Sequence, residues 1–501
     1  MIVAHGLRMS VMELAHRAGL RVASGRTDVD VTGVTHDSRR VERGHLYAAL
    51  PGLHVDGRRY LAEAVARGAG AVFMENAEHG LSELSAGMPV LTGPDARAAL
   101  AALACAFWGD PSRQLDLVGI TGTNGKTTTA HIAKKILTMA GCATGLIGTV
   151  GYEVGEVRMN APYTTPEAPE FQALLARMVE AGCTHAVAEA SSHALAQRRV
   201  DGSRFAVGVW TNLTPEHLDY HHTMEEYFLA KRRLFDELLE GPSVLNADDP
   251  WSARLIERIE DAITYGLEDS QARLRALGVV LSPGGAVYTL AYKGDRVDVA
   301  TRLVGMPNVY NALAATGACL ALGLDLYDAA RGLGAMETVV GRFQRIEAGQ
   351  EFTCIVDYAH TPDAVERLLA TVRGFAPGRI ITVIGCGGDR DRTKRPLMGG
   401  AAARLSDHVV VTTDNPRSEE PEAIIAEIVA GVERGSHEVI VDRARAIGRA
   451  VEMAEPGDAV VIAGKGHEEY QEVKGVRTHF SDAEEARAAI AARMGHGGAR
   501  A

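Results

Sequence analysis

Paired cysteines are missing from this chain. Its six cysteines, Cys105, Cys142, Cys183, Cys319, Cys354 and Cys386, form no C-x-x-C spacing, which argues against a zinc site and a disulfide framework and leaves buried, reduced thiols as the expectation. Long hydrophobic runs are missing as well: the longest, 98–108, is too short to span a bilayer. The N-terminal residues show no charged region followed by an apolar core and a small-residue cleavage site, so a cytoplasmic protein is expected. An excess of basic charge is also lacking. The formal charge of -12 argues against general affinity for nucleic acid or an anionic membrane, so an anionic ligand must be held by local basic residues. No internal repeat is present, and low complexity is confined to the Gly/Ala/Arg tail after Met494.

What remains is a globular composition, 46% hydrophobic and 23% charged. At 501 residues the chain exceeds one ordinary core, and at roughly 100–200 residues per domain about three domains are expected. The first unit, 1–110, holds strand candidates at 29–34 and 46–50 and helical runs at 11–18 and 60–66, and closes at the turn formers Trp108-Gly109-Asp110-Pro111. From 111 to 340, strand-like runs at 186–188, 207–210 and 243–245 alternate with helical ones, as a mostly parallel sheet with helices on its faces requires. A third alternation fills 341–501, with strand candidates at 380–384, 408–412 and 459–463. Each of these three ends in a polar loop, at 385–391, 414–417 and 464–468. Open α/β sheets bind ligands at the carboxyl ends of their strands, so the three loops mark a second ligand site beside the reading of ordinary βα turns.

The sharpest signal lies at 119–127, Gly-Ile-Thr-Gly-Thr-Asn-Gly-Lys-Thr, between a strand-like run and a helical one. Gly122 and Gly125, with Thr123 and Asn124 in the same loop, let backbone N–H groups curl around an anion. Lys126 adds a point charge, and the hydroxyl of Thr127, followed by Thr128, suits the magnesium that accompanies a nucleotide. The spacing departs from strict G-x-x-x-x-G-K-[ST], because Gly119 lies one residue too early. In the helix that follows, Ile132, Ile136 and Met139 share a face, and Gly141 marks its end.

Glu189, at a strand end in the same unit, is placed to complete a magnesium shell. His217 is a candidate cation ligand or simply packed or solvated. Lys231, beside Arg232 and Arg233 in the helical segment 225–239, reads by itself as part of a solvated face. Asn308 and Asn311 at a helix start are caps or adenine contacts. Arg342 follows a glycine at a domain junction, where it could reach a transferring phosphoryl group on closure. Asp357 to Asp363 reads as a strand end and helix cap, with Asp and His open to either role.

Seven motifs occur in order: Gly-Thr-Asn-Gly-Lys-Thr-Thr, Glu-Ala-Ser-Ser-His-Ala-Leu, Asn-Leu-Thr-Pro-Glu-His-Leu-Asp-Tyr-His, Ala-Lys-Arg-Arg-Leu-Phe, Asp-Tyr-Ala-His-Thr-Pro-Asp-Ala, Gly-Gly-Asp-Arg-Asp and Asp-Asn-Pro-Arg. In these the chain resembles the Mur ligases along essentially its whole length. The resemblance implies an α/β protein of three domains, with a P-loop central parallel sheet and a Rossmann-like C-terminal domain, for a UDP sugar, ATP and an amino acid respectively. Among Mur ligases it is most similar to those that add the third residue of the peptidoglycan stem peptide, which implies UDP-MurNAc-L-Ala-D-Glu and meso-diaminopimelate as partners and ATP with Mg2+ as cofactors. A monomer is expected.

The same resemblance puts Lys126 on the ATP phosphates, Thr127 and Glu189 on magnesium, and His217 near a second ion. It makes Lys231 a lysine that forms a carbamate with carbon dioxide, for which a neutral amine and a depressed pKa are needed. Ser38, Thr164, Thr165, Ser191, Gln197 and Arg199 match positions for the UDP-muramoyl dipeptide. Diaminopimelate carries a distal carboxylate that lysine lacks, and the fork of Arg417 pairs with such a group bidentately. Asp414, Asn415 and Pro416 frame that end, and Arg390, Gly464 and Glu468 are assigned to the remaining groups. The alternatives are a lysine-adding member or a folylpolyglutamate synthetase-like amide ligase.

Overall fold

In the computed structural model, residues 7–52, 56–76, 84, 87–433 and 436–497 are described, so the end of the Gly/Ala/Arg tail lies outside the described residues. The N-terminal unit is a five-stranded sheet in the order Arg21–Ser24, Val90–Thr92, Ala71–Met74, His45–Ala49, Gly33–Thr35, parallel except for its first strand. Side chains alternate along His45–Ala49. Leu46 and Ala48 pack with the helices Val11–Arg17 and Ala96–Trp108, and Tyr47 and Ala49 with Leu61–Ala66, as the period of two requires. The single strand expected at 29–34 is instead two. Asp30–Val31 pairs with Met9–Ser10, and after Thr32 the chain turns to put Gly33–Thr35 into the main sheet.

The central sheet has eleven strands. From Thr144–Ile147 through His185–Glu189, Asp116–Thr121, Val207–Trp210, Ser243–Asn246 and Ile263–Gly266 to Leu274–Ser282 every neighbour is parallel. The expectation of a mostly parallel sheet omitted the antiparallel flanks, Tyr152–Val154 with Val157–Met159 on one side and Gly285–Tyr292 with Asp295–Thr301 on the other. Along Asp116–Thr121, Val118 and Ile120 join the core under the helices Lys126–Met139, Met306–Ala321 and Leu326–Gly334, while Leu117 joins the opposite core with Phe171, Leu174 and Phe228. Gly119 faces that second core, where a Cβ would sit 2.6 Å from the Phe205 ring.

The C-terminal sheet runs Gln344–Arg345, Thr353–Asp357, Ala459–Ala463, Ile380–Ile384, His408–Val411, Ser436–Val439, parallel apart from its first strand. Its inserted last strand, Ala459–Ala463, lies between Thr353–Asp357 and Ile380–Ile384, so the polar loops after these strands emerge side by side at one edge. The six cysteines are free thiols, all buried except the half-buried Cys142. Among the described residues no helix is long and apolar enough to cross a membrane.

Candidate active site

The phosphate loop leaves Asp116–Thr121 and enters Lys126–Met139 with Gly122 at φ +144 and Gly125 at φ +88. Both positions exclude a side chain. A Cβ on Gly122 would lie 1.9 Å from Thr211 Oγ1, and one on Gly125 2.3 Å from Asn311 Oδ1. The N–H groups of Thr123 and Asn124 do not turn inward to an anion: Thr123 N donates to Asn212 O at 2.7 Å and Asn124 N to Asn212 Oδ1 at 3.0 Å, because the loop after Val207–Trp210 packs against them. The Lys126 ammonium folds over its own loop onto the carbonyls of Gly122 (2.8 Å) and Thr123 (2.7 Å). Burial pushes its pKa down, and Glu216 and Glu189 oppose that shift. Of the face expected on the helix, Ile132 and Ile136 are buried and Met139 is exposed. Gly141, at φ +89, follows the helix end as expected.

Thr127 Oγ1 donates to Glu189 Oε2 at 2.9 Å and accepts from Arg342 Nη2 at 3.2 Å. Glu189 is buried and also accepts from Thr149 N (2.8 Å) and Thr149 Oγ1 (3.1 Å). Arg342 comes from the far side of the cleft, stacked 4.6 Å over the Tyr358 ring, and its buried Nε has no partner. Thr127, Glu189 and Arg342 thus meet at one point. Thr128 lines the adjoining cavity of about 560 Å3, as do Gly125, Asn308, Asn311, Tyr310 and Arg342. Asn308 donates to Val304 O at 2.9 Å and accepts from Asn311 Nδ2 at 3.0 Å. Neither asparagine is a helix cap, because that position is held by Gly305.

Lys231 is buried, against the solvated-face alternative, whereas Arg232 and Arg233 are half-buried. Its Nζ donates to Gly122 O at 2.7 Å and lies 4.5 Å over the Tyr227 ring. Burial, helped by Lys126 and opposed by Glu216, depresses its pKa well below that of an ordinary lysine. His217, at φ +56, packs in a cluster with His193 (4.6 Å between rings) and Tyr227 (6.4 Å). Desolvation in that cleft lowers the pKa of its imidazole, against the pull of Glu216. Among the described residues no three His, Cys, Asp or Glu side chains converge on a ready-made metal site.

Thr164, Thr165, Ser191, Gln197 and Arg199 form one chain of contacts at the carboxyl end of His185–Glu189. Thr164 Oγ1 bonds Thr149 Oγ1 at 3.0 Å, and Thr165 Oγ1 bonds Glu189 O (2.6 Å) and Ser191 Oγ (3.2 Å). Arg199 reaches Thr165 O at 3.0 Å and Gln197 Oε1 at 2.8 Å, and pairs with Glu167 at 2.9 Å. Ser38 is apart from this chain, in the N-terminal unit, where its hydroxyl donates to Glu63 at 2.9 Å.

In the C-terminal unit the loops after His408–Val411 and Ala459–Ala463 meet. Asn415 Nδ2 donates to Glu468 Oε2 at 2.7 Å, and Asp414 lies against Gly464, whose φ of +121 leaves that approach open. Arg417, at φ +52 after Pro416, donates from Nη1 to Gly388 O at 2.6 Å. Burial raises the pKa of Glu468, with Asp414 adding to it, whereas at Asp414 burial is outweighed by Lys465 and Arg443 and the pKa falls. Arg390 is exposed, its Nη1 on Asp389 O at 3.0 Å.

Several partners went unassigned from the sequence. Glu216, next to His217, lies 3.6 Å from His360 Nε2 across the cleft, and these imidazoles with Lys126 outweigh burial and lower its pKa. Asp363 accepts from Asn124 Nδ2 at 3.1 Å and Thr214 Oγ1 at 3.3 Å, tying the helix Pro362–Arg373 to the phosphate loop. The Asp357-to-Asp363 segment does end a strand and cap a helix, through Thr361, and its His360 and Asp363 also face the central unit. The signal available was an acidic residue inside two quoted motifs.

Residues 30–108 match the Mur ligase family catalytic domain, 120–319 the Mur ligase middle domain and 341–466 the Mur ligase glutamate ligase domain. The UDP-N-acetylmuramoyl-L-alanyl-D-glutamate--2,6-diaminopimelate ligase of Gloeobacter violaceus is 48% identical over 493 residues, covering 98% of this chain and 99% of its own. That of Streptomyces coelicolor is 45% identical, covering 97% of each. A solved diaminopimelate ligase of the same name superposes with a TM-score of 0.69 at 34% identity, over 97% of this chain and 100% of its own. MurF ligase from Thermotoga maritima in complex with ADP shares the fold, with a TM-score of 0.61 at 19% identity over 93% of this chain and 98% of its own. With three domain matches in chain order and relatives alike from end to end, the chain belongs to the Mur ligase family.

Proposed function

We propose that the chain is an ATP-dependent ligase that joins meso-diaminopimelate to the D-glutamate side-chain carboxylate of UDP-N-acetylmuramoyl-L-alanyl-D-glutamate, in cytoplasmic peptidoglycan precursor synthesis. The observation that carries this reading is the meeting of Thr127 and Glu189 with Arg342 from the facing unit, at the foot of the phosphate loop that Lys126 closes, in a chain whose relatives bear that name. The proposed division is 1–110 for the UDP sugar, 111–340 for ATP and 341–501 for the amino acid, in a monomer.

A carboxylate is a poor electrophile near neutral pH, so amide formation needs it activated. In the proposed sequence the substrate carboxylate oxygen attacks the γ-phosphorus of ATP in line, the bond to the β-γ bridging oxygen breaks, and an acyl phosphate and ADP result. The free amine of diaminopimelate then attacks the acyl carbon, loses a proton, and phosphate departs with the former carboxylate oxygen. Lys126 would exchange its two loop carbonyls for phosphate oxygens. Arg342, whose Nη2 reaches Thr127 and whose buried Nε has no partner, would stabilise charge on the transferring group.

Thr127 and Glu189 fit Mg2+, which takes a few hard oxygen ligands and completes its shell with phosphates and water; bound there it would neutralise phosphate charge. Lys231 as an amine ligates no cation. As a carbamate it would, beside His217, and its burial and lowered pKa suit that modification. Thr164, Thr165, Ser191, Gln197, Arg199 and Ser38 are proposed for the UDP-muramoyl dipeptide. Arg390, Arg417, Asp414, Asn415 and Glu468 are proposed for diaminopimelate. The lysine-adding and folylpolyglutamate-type alternatives are not favoured by the names of the relatives.

Isotope transfer tests the chemistry. With 18O in the D-glutamate side-chain carboxylate, one label should appear in the released phosphate for each amide formed; unlabelled phosphate with labelled product refutes the acyl phosphate.

A further inference from the structure

Lys465 is a fully buried lysine at the end of the strand Ala459–Ala463, and the catalytic scheme above gives it no task. Its ammonium donates to Asn415 Oδ1 at 2.8 Å and to Tyr470 O at 2.8 Å, and is ion-paired with Asp414 Oδ1 at 3.2 Å; Glu468 lies 3.9 Å away. An ammonium has three protons and no lone pair, so it can only donate. A lysine so placed has a consequence for its neighbour. Because only an oxygen can face the ammonium, the Asn415 amide is oriented: Oδ1 toward Lys465, where it also accepts from Glu472 N at 2.9 Å, and Nδ2 toward Glu468 at 2.7 Å.

The charges are ordered in the same way. Asp414 and Glu468 are two acids in one pocket, and like charges so placed resist joint ionisation. Lys465 neutralises one of them and leaves the other to receive a cationic amine. Arg443 supports the arrangement from below, paired with buried Asp482 at 2.7 Å and donating to Thr413 O and Ala463 O, the residues at which the two loops begin.

We propose that Lys465 is a positioning residue for amino-acid selection: by its hydrogen bond to Asn415 and its ion pair with Asp414 it orients the amide and sets the charge of the pocket that holds the zwitterionic end of diaminopimelate. This rests on the proposed binding of diaminopimelate at these loops. Lys465 touches no reacting atom, so its removal should alter binding of one substrate and leave turnover intact.

The test is steady-state phosphate release by the full chain and by Lys465→Met and Lys465→Gln, with KM measured separately for ATP, the UDP-muramoyl dipeptide and diaminopimelate. A buried hydrogen-bonded charge is being lost, so the KM for diaminopimelate should rise about 10–100-fold in Lys465→Met. Lys465→Gln, which keeps a donor but no charge, should fall between. In both, kcat and the other two KM values should stay within about twofold of the parent, the pattern of lost ground-state binding. An unchanged diaminopimelate KM overturns the proposal. So does a parallel rise of all three KM values with a fall in kcat, or failure of both variants to fold, either of which assigns Lys465 to structure alone. If the unaltered chain releases no phosphate with diaminopimelate, the functional reading fails instead, and that is seen without any variant.

Discussion

Gly122→Ala probes whether the phosphate loop owes its shape to the wall behind it. Two costs are separable. The backbone at φ +144 is unfavourable for an L residue, by about 1–2 kcal/mol. The new methyl would also stand 1.9 Å from Thr211 Oγ1 and 3.0 Å from Asn212 N and O, an overlap relieved only by moving the loop, at about 1–3 kcal/mol. Thr211→Ala removes that hydroxyl together with its bond to Asn124 O at 2.7 Å, for about 0.5–1.5 kcal/mol. The double variant Gly122→Ala/Thr211→Ala therefore escapes most of the overlap, and the single effects should fail to add by about 1–3 kcal/mol. Gly141→Ala is the control, because Gly141 has φ +89 and nothing within 4 Å of its Cβ, so only the backbone cost of about 1–2 kcal/mol applies. The assay is urea unfolding followed by tryptophan emission, since Trp210 lies buried on the strand paired to the loop strand, with the ATP KM measured alongside. Additive effects across the four variants, or a Gly122→Ala no worse than Gly141→Ala, refute the reasoning.

Lys126→Ala should abolish phosphate release while leaving the fold intact, since the two bonds it loses are to carbonyls of its own loop; circular dichroism and a phosphate assay check both halves, and normal turnover removes the assignment. Lys231→Ala should be inactive and partly rescued by short carboxylic acids, and an unmodified mass at Lys231 in active enzyme contradicts the carbamate. Arg417→Ala leaves a bound carboxylate unpaired and should weaken diaminopimelate use by about 2–5 kcal/mol, read as kcat/KM; unchanged kinetics sinks the specificity argument. Stability should also fall with acid. Burial pushes His131 down to about 4 and His467 to about 3, so the unfolded chain takes up protons that the folded one refuses. The contribution is whole above pH 6.5, the ordinary histidine value, and is lost as pH falls toward the folded values, by about 1.4 kcal/mol per pH unit for each group. His131→Gln should flatten that slope between pH 6.5 and 5 in urea titrations.

The phosphate loop was legible because its chemistry is local: two glycines, a lysine and a threonine within one strand-loop-helix step. The helix start at Lys126 followed, but Met139, the last helical residue, is exposed while Ile136 and Leu137 just before it are buried. Adjacency misled at Lys231 to Arg233. Successive helical residues point about 100° apart, so one of three neighbouring cations can be buried against Tyr227 while the others stay partly wet. The strand at 29–34 was read as one because Thr32 alone separates two short strands that pair with different neighbours. Glu216, His360, Asp363 and Lys465 were missed for a common reason. Each owes its role to a partner far away in sequence, Asp363 to Asn124 and Lys465 to Asn415, and periodicity carries no trace of such pairing.

The central claim, that nucleotide energy held by the middle unit joins an acid to diaminopimelate, is met most directly by phosphate release from ATP with the UDP-muramoyl dipeptide, comparing diaminopimelate with lysine. The account predicts release with diaminopimelate and little with lysine. Release that is equal for both, or absent with both, contradicts it.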